Sequence, residues 1–252
     1  ETYGTPELIG SYINNGMLDA QFDFNLYDAV STSLAVGNSF KKVEQELTKS
    51  LKNYGWHNLM GNITGNQDRG RFISYAGGTL RYDENAKEAG WTRTIDVGND
   101  NAYKKSAMLF AFISTVHGIP VVYYGDEIGM PGGNDPDNRR MMQFENLNDK
   151  QLELKNIAAK LLNLRRSNMA LIYGDFRMLL VEDNVMAYQR TYFDKSAIAV
   201  INNSDKEQKI TIVMPHNCSH KNIKQNFGNN FEIDCRKIII SLKPYSFEVL
   251  TN

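Results

Sequence analysis

The side chains that could do chemistry in this sequence are carboxylates and amides, gathered in short polar clusters. Asp23 and Asn25 close one alternating segment, Asn66-Gln67-Asp68 follow a second, and Gly125-Asp126-Glu127 follow a third, while Glu1 opens the sequence. Paired carboxylates do acid/base and nucleophilic work on a glycosidic bond, and amides and arginines hydrogen-bond hydroxyls. Such a set suits sugar chemistry. It does not suit phosphate, because no Walker-type loop is present and Gly77-Gly78 and Gly132-Gly133 alone are weak signals. Metal and thiol chemistry have little support. Of the histidines His57, His117, His216 and His220, the last two lie four apart but beside Pro215, Asn217 and Ser219, a loop context that argues against a metal pair. Cys218 and Cys235 are too few for a disulfide framework; they pair or stay free, idle thiols being the simpler reading.

The elements that must position these groups alternate between strand and helix as far as about Ser167. Leu18–Asn25 alternates apolar and polar as a strand does. Phe40, Val43, Leu47 and Leu51 fall on one helical face, with Gly55 as its stop. His57–Thr64 reads as a second strand, and 65–101 as a long Gly-, Asp- and Asn-rich connection. Asp100 or Asn101 caps a helix that is apolar nearly all round and ends at Gly118 and Pro120, with His117 as its C-terminal cap. Pro120–Tyr124 is a third strand, apolar enough to be covered on both faces. A loop over 125–148 leads to a helix from about Asp149, with Leu152, Ile157, Leu161, Leu162 and Leu164 inside and Arg165 and Arg166 in its last turn. This repetition predicts parallel β/α units, whose working residues collect at the C-terminal ends of the strands. From Asn168 the pattern becomes short strands: Phe176–Val181, Val185–Tyr192, Ser196–Asn202, Gln208–Val213, Lys237–Ser241 and Ser246–Thr251. These predict an all-β antiparallel sandwich.

The balance of 28 basic against 29 acidic residues in 252, a net charge of −1, gives no footprint for nucleic acid. The most apolar stretch, Ala107 to Tyr124, is interrupted by His117, Gly118 and Pro120, so no membrane span is expected.

Four segments carry a family resemblance, in order along the chain. Glu1-Thr2-Tyr3-Gly4 resembles the end of the fifth strand in the α-amylase superfamily, glycoside hydrolase family 13. Gly65 to Phe72 (GNQDRGRF) is similar to the segment after the seventh strand, where the usual pattern is Asn-His-Asp. Gly118 to Met130 (GIPVVYYGDEIGM) resembles the eighth strand and its loop. Gly132 to Arg140 (GGNDPDNRR) is similar to a loop of the neopullulanase and cyclomaltodextrinase branch. The resemblance implies an α/β fold: residues 1–167 are the C-terminal part of a (β/α)8 barrel, from the end of strand 5 to helix 8, and 168–252 a β-sandwich.

The same resemblance implies roles. Glu1 would be the general acid/base, and Asp68 the third carboxylate, which hydrogen-bonds sugar hydroxyls and distorts the bound ring. Gln67 takes the place of the usual histidine and would bind substrate without carrying charge. Asp135 and Arg139 would grip a neighbouring glucose unit, Tyr3 would offer an aromatic face on the leaving-group side, and Arg71 would anchor the loop. The family's nucleophile, an aspartate at the end of the fourth strand, would precede Glu1. The chain is therefore expected to be part of a longer protein and inactive by itself, its partners being an α-glucan oligosaccharide and the missing N-terminal half. No cofactor and no metal ligand set is expected, a structural calcium ion being left open. Linkage preference is not set, and a secreted or periplasmic location would need an upstream leader.

Some readings stay open at this stage. Asp126 and Glu127 stand where catalytic residues stand, but holding the loop that carries Arg139 or Arg140 is favoured. Asp23 reads as an inward carboxylate bonding its neighbours, and Tyr82 and Trp91 as sugar-stacking rings or rim packing. Two other functions remain: a transglycosylase with the same site, and a non-catalytic chain that binds sugar or a partner protein.

Overall fold

The computed structural model describes residues 1–13, 16–56, 58–215 and 222–252. His57, His216, Cys218 and His220, and with them the readings made of the 216/220 pair and of the Cys218–Cys235 pairing, lie outside the described residues. In chain order come α1 (Pro6–Ser11), α2 (Phe24–Val36), α3 (Phe40–Tyr54), β1 (Gly61–Ile63), α4 (Phe72–Gly77), α5 (Ala86–Thr92), α6 (Asn101–Thr115), β2 (Ile119–Val121), α7 (Asp149–Ser167) and α8 (Met169–Tyr173). Strands follow: β3 (Asp175–Val181), β4 (Val185–Tyr192), β5 (Lys195–Asn202), β6 (Gln208–Val213), β7 (Lys224–Gln225), β8 (Phe231–Asp234), β9 (Lys237–Leu242) and β10 (Ser246–Thr251).

The barrel portion is built on parallel pairing. β1 and β2 run side by side, Gly61 opposite Ile119 and Ile63 opposite Val121, and Phe22 makes a parallel bridge to Gly61. The expected strand Leu18–Asn25 is reduced to bridges at Leu18 and Phe22. The competing force is a helix cap: the Asp23 carboxylate accepts the Leu26 N–H at 3.1 Å, so Phe24 and Asn25 already belong to α2. That helix, unforeseen in the sequence, buries Leu26, Ala29, Val30 and Leu34. Asp23 also accepts a short hydrogen bond from Ser50 of α3, and burial lifts its carboxyl above the usual range. The long connection 65–101 likewise contains α4 and α5.

The third strand is shorter and less covered than its composition suggests, with Ile119 48% exposed. Its entry is set by Gly118, at φ +116°, where a Cβ would stand 2.4 Å from the Asn62 amide and 2.5 Å from the Met60 carbonyl. The C-terminus of α6 is capped from another helix. Arg165 of α7 is buried and donates to the carbonyls of Ser114 and Val116 (3.0 and 3.1 Å) and of Gly118. A cation over orphan carbonyls satisfies them and complements the helix dipole. This corrects one expectation, since His117 does not cap α6; Arg165 does lie in the last turn of its own helix, as expected, and from there also serves a neighbour's end. Burial brings the Arg165 guanidinium down to about 10. The inner stripe of α7 is Leu154, Ala158, Leu161 and Arg165, whereas Leu152 is exposed.

The C-terminal strands form two sheets, ordered β3-β4-β5-β10-β7 and β6-β9-β8. One apolar core lies between them, with Val185, Ile198, Val200, Ile212 and Ile240. The other face of the larger sheet (Met186, Tyr188, Ala199, Ile201, Val249) joins the helical core of α2, α3, α6 and α7 in one cluster. A helix layer is therefore packed between the barrel strands and the sandwich. Strands β7 and β8 and helix α8 were not anticipated. Cys235, exposed and without a disulfide partner among the described residues, sits in the turn between β8 and β9. Among the described residues no helix is long and apolar enough to cross a membrane.

Candidate active site

The chain leaves β1 at Ile63 and turns through Thr64–Arg69 at its C-terminal end. The Asn66 side chain makes the turn: its Oδ1 accepts the Asp68 N–H at 3.1 Å while its Nδ2 donates to Glu1 at 2.6 Å. Gln67 then spans two carboxylates, its Nε2 donating to Glu1 Oε2 at 3.2 Å and to Asp68 Oδ2 at 3.1 Å. Asp68 also meets Arg139 Nη2 at 3.1 Å, and Arg139 Nε meets Asp135 at 3.0 Å and the Gln67 carbonyl at 3.1 Å. The structure thus connects Glu1, Gln67, Asp68, Arg139 and Asp135 in one hydrogen-bonded chain, although 134 positions separate the first from the last.

Beneath them the loop is pinned by buried polar groups. Asn138, fully buried, donates its amide to the carbonyls of Asn66, Gln67 and Arg69 at 3.3, 2.8 and 2.7 Å. Arg71 donates to the carbonyls of Asn138 and Tyr124 (2.9 and 2.6 Å) and pairs with Asp126 at 2.9 Å. Its guanidinium lies over the rings of Tyr123 and Tyr124. Asp126 also accepts from Thr64 at 2.6 Å; burial lifts its carboxyl above the usual range in spite of Arg71. Asp126 is thus a tie between the turn after β1 and the loop after β2, and its partner is Arg71 rather than Arg139 or Arg140. Arg140 instead pairs with Asp137.

The carboxylates open on a cleft of about 680 Å³ lined by Glu1, Tyr3, Asp28, Asp68, Tyr75 and Tyr82 among others. Tyr3 donates to Asp28 at 3.2 Å, and Arg69 pairs with Asp28 while lying over the rings of Tyr3, Phe24 and Tyr27 at 5.1–5.4 Å. Tyr82 lines the cleft and stacks on Tyr75, centroids 4.3 Å apart and 14° between planes. Trp91, 71% exposed on α5, is not part of that lining. Asn66 stands in the polar cluster the sequence marks, whereas nothing in the sequence pattern marks Asn138, Asp28 or Arg69 as part of the site. Asp28 and Arg69 are 41 positions apart, and only the meeting of α2 with the turn after β1 pairs them. Carboxylates held by amides, beside aromatic faces and alternating charges, match the recognition of a hydroxyl-rich ligand. Among the described residues no three His, Cys, Asp or Glu side chains converge as a metal site.

Residues 1–169 match the alpha amylase catalytic domain and residues 174–230 the alpha-amylase C-terminal domain. The cyclomaltodextrinase of Thermoanaerobacter pseudethanolicus is 38% identical over 153 residues, 60% of this chain and 22% of that protein. Neopullulanase 2 of Thermoactinomyces vulgaris is 25% identical over 246 residues, 96% of this chain and 38% of that protein. The solved alpha-amylase of Anoxybacillus superposes with a TM-score of 0.80 at 27% identity, over 98% of this chain and 49% of that one. The chain therefore spans under half the length of these relatives. With half a catalytic barrel followed by an antiparallel β domain, and both family domains matched in order, the chain belongs to the alpha-amylase family.

Proposed function

We propose that these residues form one wall of the active site of a retaining α-glucan hydrolase acting on maltodextrin, starch, pullulan or cyclodextrin. The observation that carries the reading is the Gln67 amide bridging Glu1 and Asp68 at the mouth of the cleft. Retention needs two carboxylates about 5–5.5 Å apart, one nucleophile and one acid/base. Glu1 is the acid/base: its proton goes to the glycosidic oxygen as that bond breaks, and it later takes a proton from the water that releases the glycosyl group. The nucleophilic carboxylate is supplied by barrel strands outside these 252 residues, so hydrolysis requires them. Asp68 accepts from ring hydroxyls and strains the bound sugar; Gln67 holds no charge at any pH and donates to a hydroxyl when the bound sugar displaces one of its two carboxylate partners. Arg139, braced by Asp68 and Asp135, grips the adjoining glucose, and Tyr3 stacks on the leaving-group side. The names of the relatives, a cyclomaltodextrinase and a neopullulanase, support α-glucans as substrates, as does an alpha-amylase of Geobacillus thermoleovorans solved with acarbose, 26% identical with a TM-score of 0.78.

In a protein with the complete barrel, Glu1→Gln and Asp68→Asn are each expected to lower turnover of maltodextrin by several orders of magnitude. An Asp68→Asn effect within about threefold, less than ~1 kcal/mol of barrier, would refute its role. The 252-residue chain alone is expected to turn over nothing. Hydrolysis by it that Glu1→Gln abolishes would overturn the requirement for an outside nucleophile.

A further inference from the structure

A second concavity, about 560 Å³, lies where β3, β4 and β5 meet the end of α3, away from the Glu1–Asp68 cleft. On β4 the side facing the second sheet carries Val185 and Ala187, and then, at the same parity, Gln189 and Thr191. Strand register extends this change sideways. Asp175, Thr191 and Ser196 form one row, and Arg177 and Gln189 continue the next beside the core residue Ile198. The inner face of the sandwich therefore turns polar in its last row, and on β3 and β4 in the row before, where it lines an open trough.

Two aromatic rings flank that floor. Trp56, just beyond α3, is 45% exposed, with its indole edge-on to His117 at 5.4 Å. Phe193, at the tip of the β4–β5 hairpin, is 86% exposed and has φ +49°. Hairpin positions with positive φ favour glycine or asparagine, so phenylalanine there is costly to the backbone. Its ring meets the neighbouring Tyr192 edge to face at 4.8 Å, but at this exposure it gains little from burial in return. Both losses fall on the same residue, at the border of a cavity that a second exposed ring also borders. A ligand that covers Phe193 accounts for both.

Asp175 and Asp194 balance Arg177 and Lys195 along the trough, so no field selects an anion or a cation. Planar polar groups between aromatic faces fit a neutral, hydroxyl-rich molecule with apolar ring faces. We propose that this trough is a second carbohydrate-binding site, taking a short oligosaccharide whose sugar faces lie on Trp56 and Phe193 and whose hydroxyls meet Asp175 and Arg177. That the sugar is an α-glucan rests on the function proposed above. Such a site would hold a polymer on the protein independently of the catalytic cleft.

The chain has two tryptophans, Trp56 and Trp91, so its indole N–H resonances are two and Trp91→Phe assigns them. Titration of the 252-residue chain with maltotetraose, up to about 10 mM, is expected to move the Trp56 resonance saturably. Phe193→Gly, which suits the turn, should raise the urea midpoint and weaken binding at least fivefold; Arg177→Ala should weaken it as well. Asp68→Asn should leave it unchanged, which separates this site from the cleft. No movement of Trp56, or a response lost in Asp68→Asn and retained in Phe193→Gly, would overturn the site. An equal response to cellotetraose would overturn the α-glucan assignment.

Discussion

Replacing Arg71 by methionine should be among the most damaging single changes to the barrel portion. The side chain is 1% exposed, and three of its contacts are polar: Asp126 at 2.9 Å, the Asn138 carbonyl at 2.9 Å and the Tyr124 carbonyl at 2.6 Å. Methionine fills similar length but donates nothing. It leaves the 9%-exposed Asp126 carboxylate without its counter-charge, a situation that costs about 3–5 kcal/mol. Each orphaned carbonyl adds up to about 1–3 kcal/mol, less whatever relaxation recovers. We expect a loss of about 4 kcal/mol, a large part of the ~5–15 kcal/mol that holds a typical domain. Asp126→Asn should cost less, about 1–2 kcal/mol, because the amide oxygen still accepts from Thr64 or Arg71. The double variant should fall short of the sum by about 1–3 kcal/mol, the signature of groups in direct contact. Urea unfolding followed by circular dichroism, with an unchanged m-value, measures all three. A loss below about 1.5 kcal/mol for Arg71→Met, or strict additivity in the double variant, would refute the claim that this pair ties the loop after β2 to the turn after β1.

Three further outcomes are expected. Arg139→Ala in the complete enzyme should weaken oligosaccharide binding more than it slows a short aryl glycoside, and equal effects would mark Arg139 as structural only. His117, half-buried between α6 and Trp56 with Arg165 and Arg190 nearby, has its imidazole pushed down to about 4 from the usual 6.5 by desolvation first and then by the two cations. The unfolded chain binds the extra proton between those values, so this group's contribution to stability falls as pH drops from about 6.5 to 4. His117→Phe should flatten that limb of the unfolding midpoint against pH, and an unaltered slope would contradict the assignment. Glu248, fully buried, accepts five N–H bonds, from the backbones of Asn226, Phe227, Val249 and Asn229 and from the Asn229 side chain, at 2.7–3.1 Å. Glu248→Gln should cost about 3 kcal/mol and speed amide exchange at Phe227; a change within about 0.5 kcal/mol would show that this carboxylate does not organise the segment.

The sequence by itself determined the order of elements wherever one periodicity dominated a segment. α3 and α7 and the strands Val185–Tyr192, Gln208–Val213 and Ser246–Thr251 begin and end where their patterns and stop residues place them, and α6 begins where its cap does but ends at Thr115, short of Gly118. It also made Glu1, Gln67, Asp68, Asp135 and Arg139 legible as a group, through short segments whose residue types resemble a family. What it could not contain was which local tendency wins. Leu18–Asn25 alternates as a strand does, yet Asp23 finds the Leu26 N–H and a helix takes the last two residues, Phe24 and Asn25. Arg165 reads as the favourable end of its own helix, but packing delivers it to the carbonyls at the end of α6, where burial makes those bonds count. Only the tertiary structure decided that the Gln67 amide spans Glu1 and Asp68, that Asp126 serves Arg71, and that Arg69 meets Asp28. These contacts join positions 41 to 66 residues apart or depend on a neighbour's rotamer, and a hydrogen bond reaches only about 3 Å. Residue type sets what each group can do; the parallel register of β1 and β2 sets what lies within that reach.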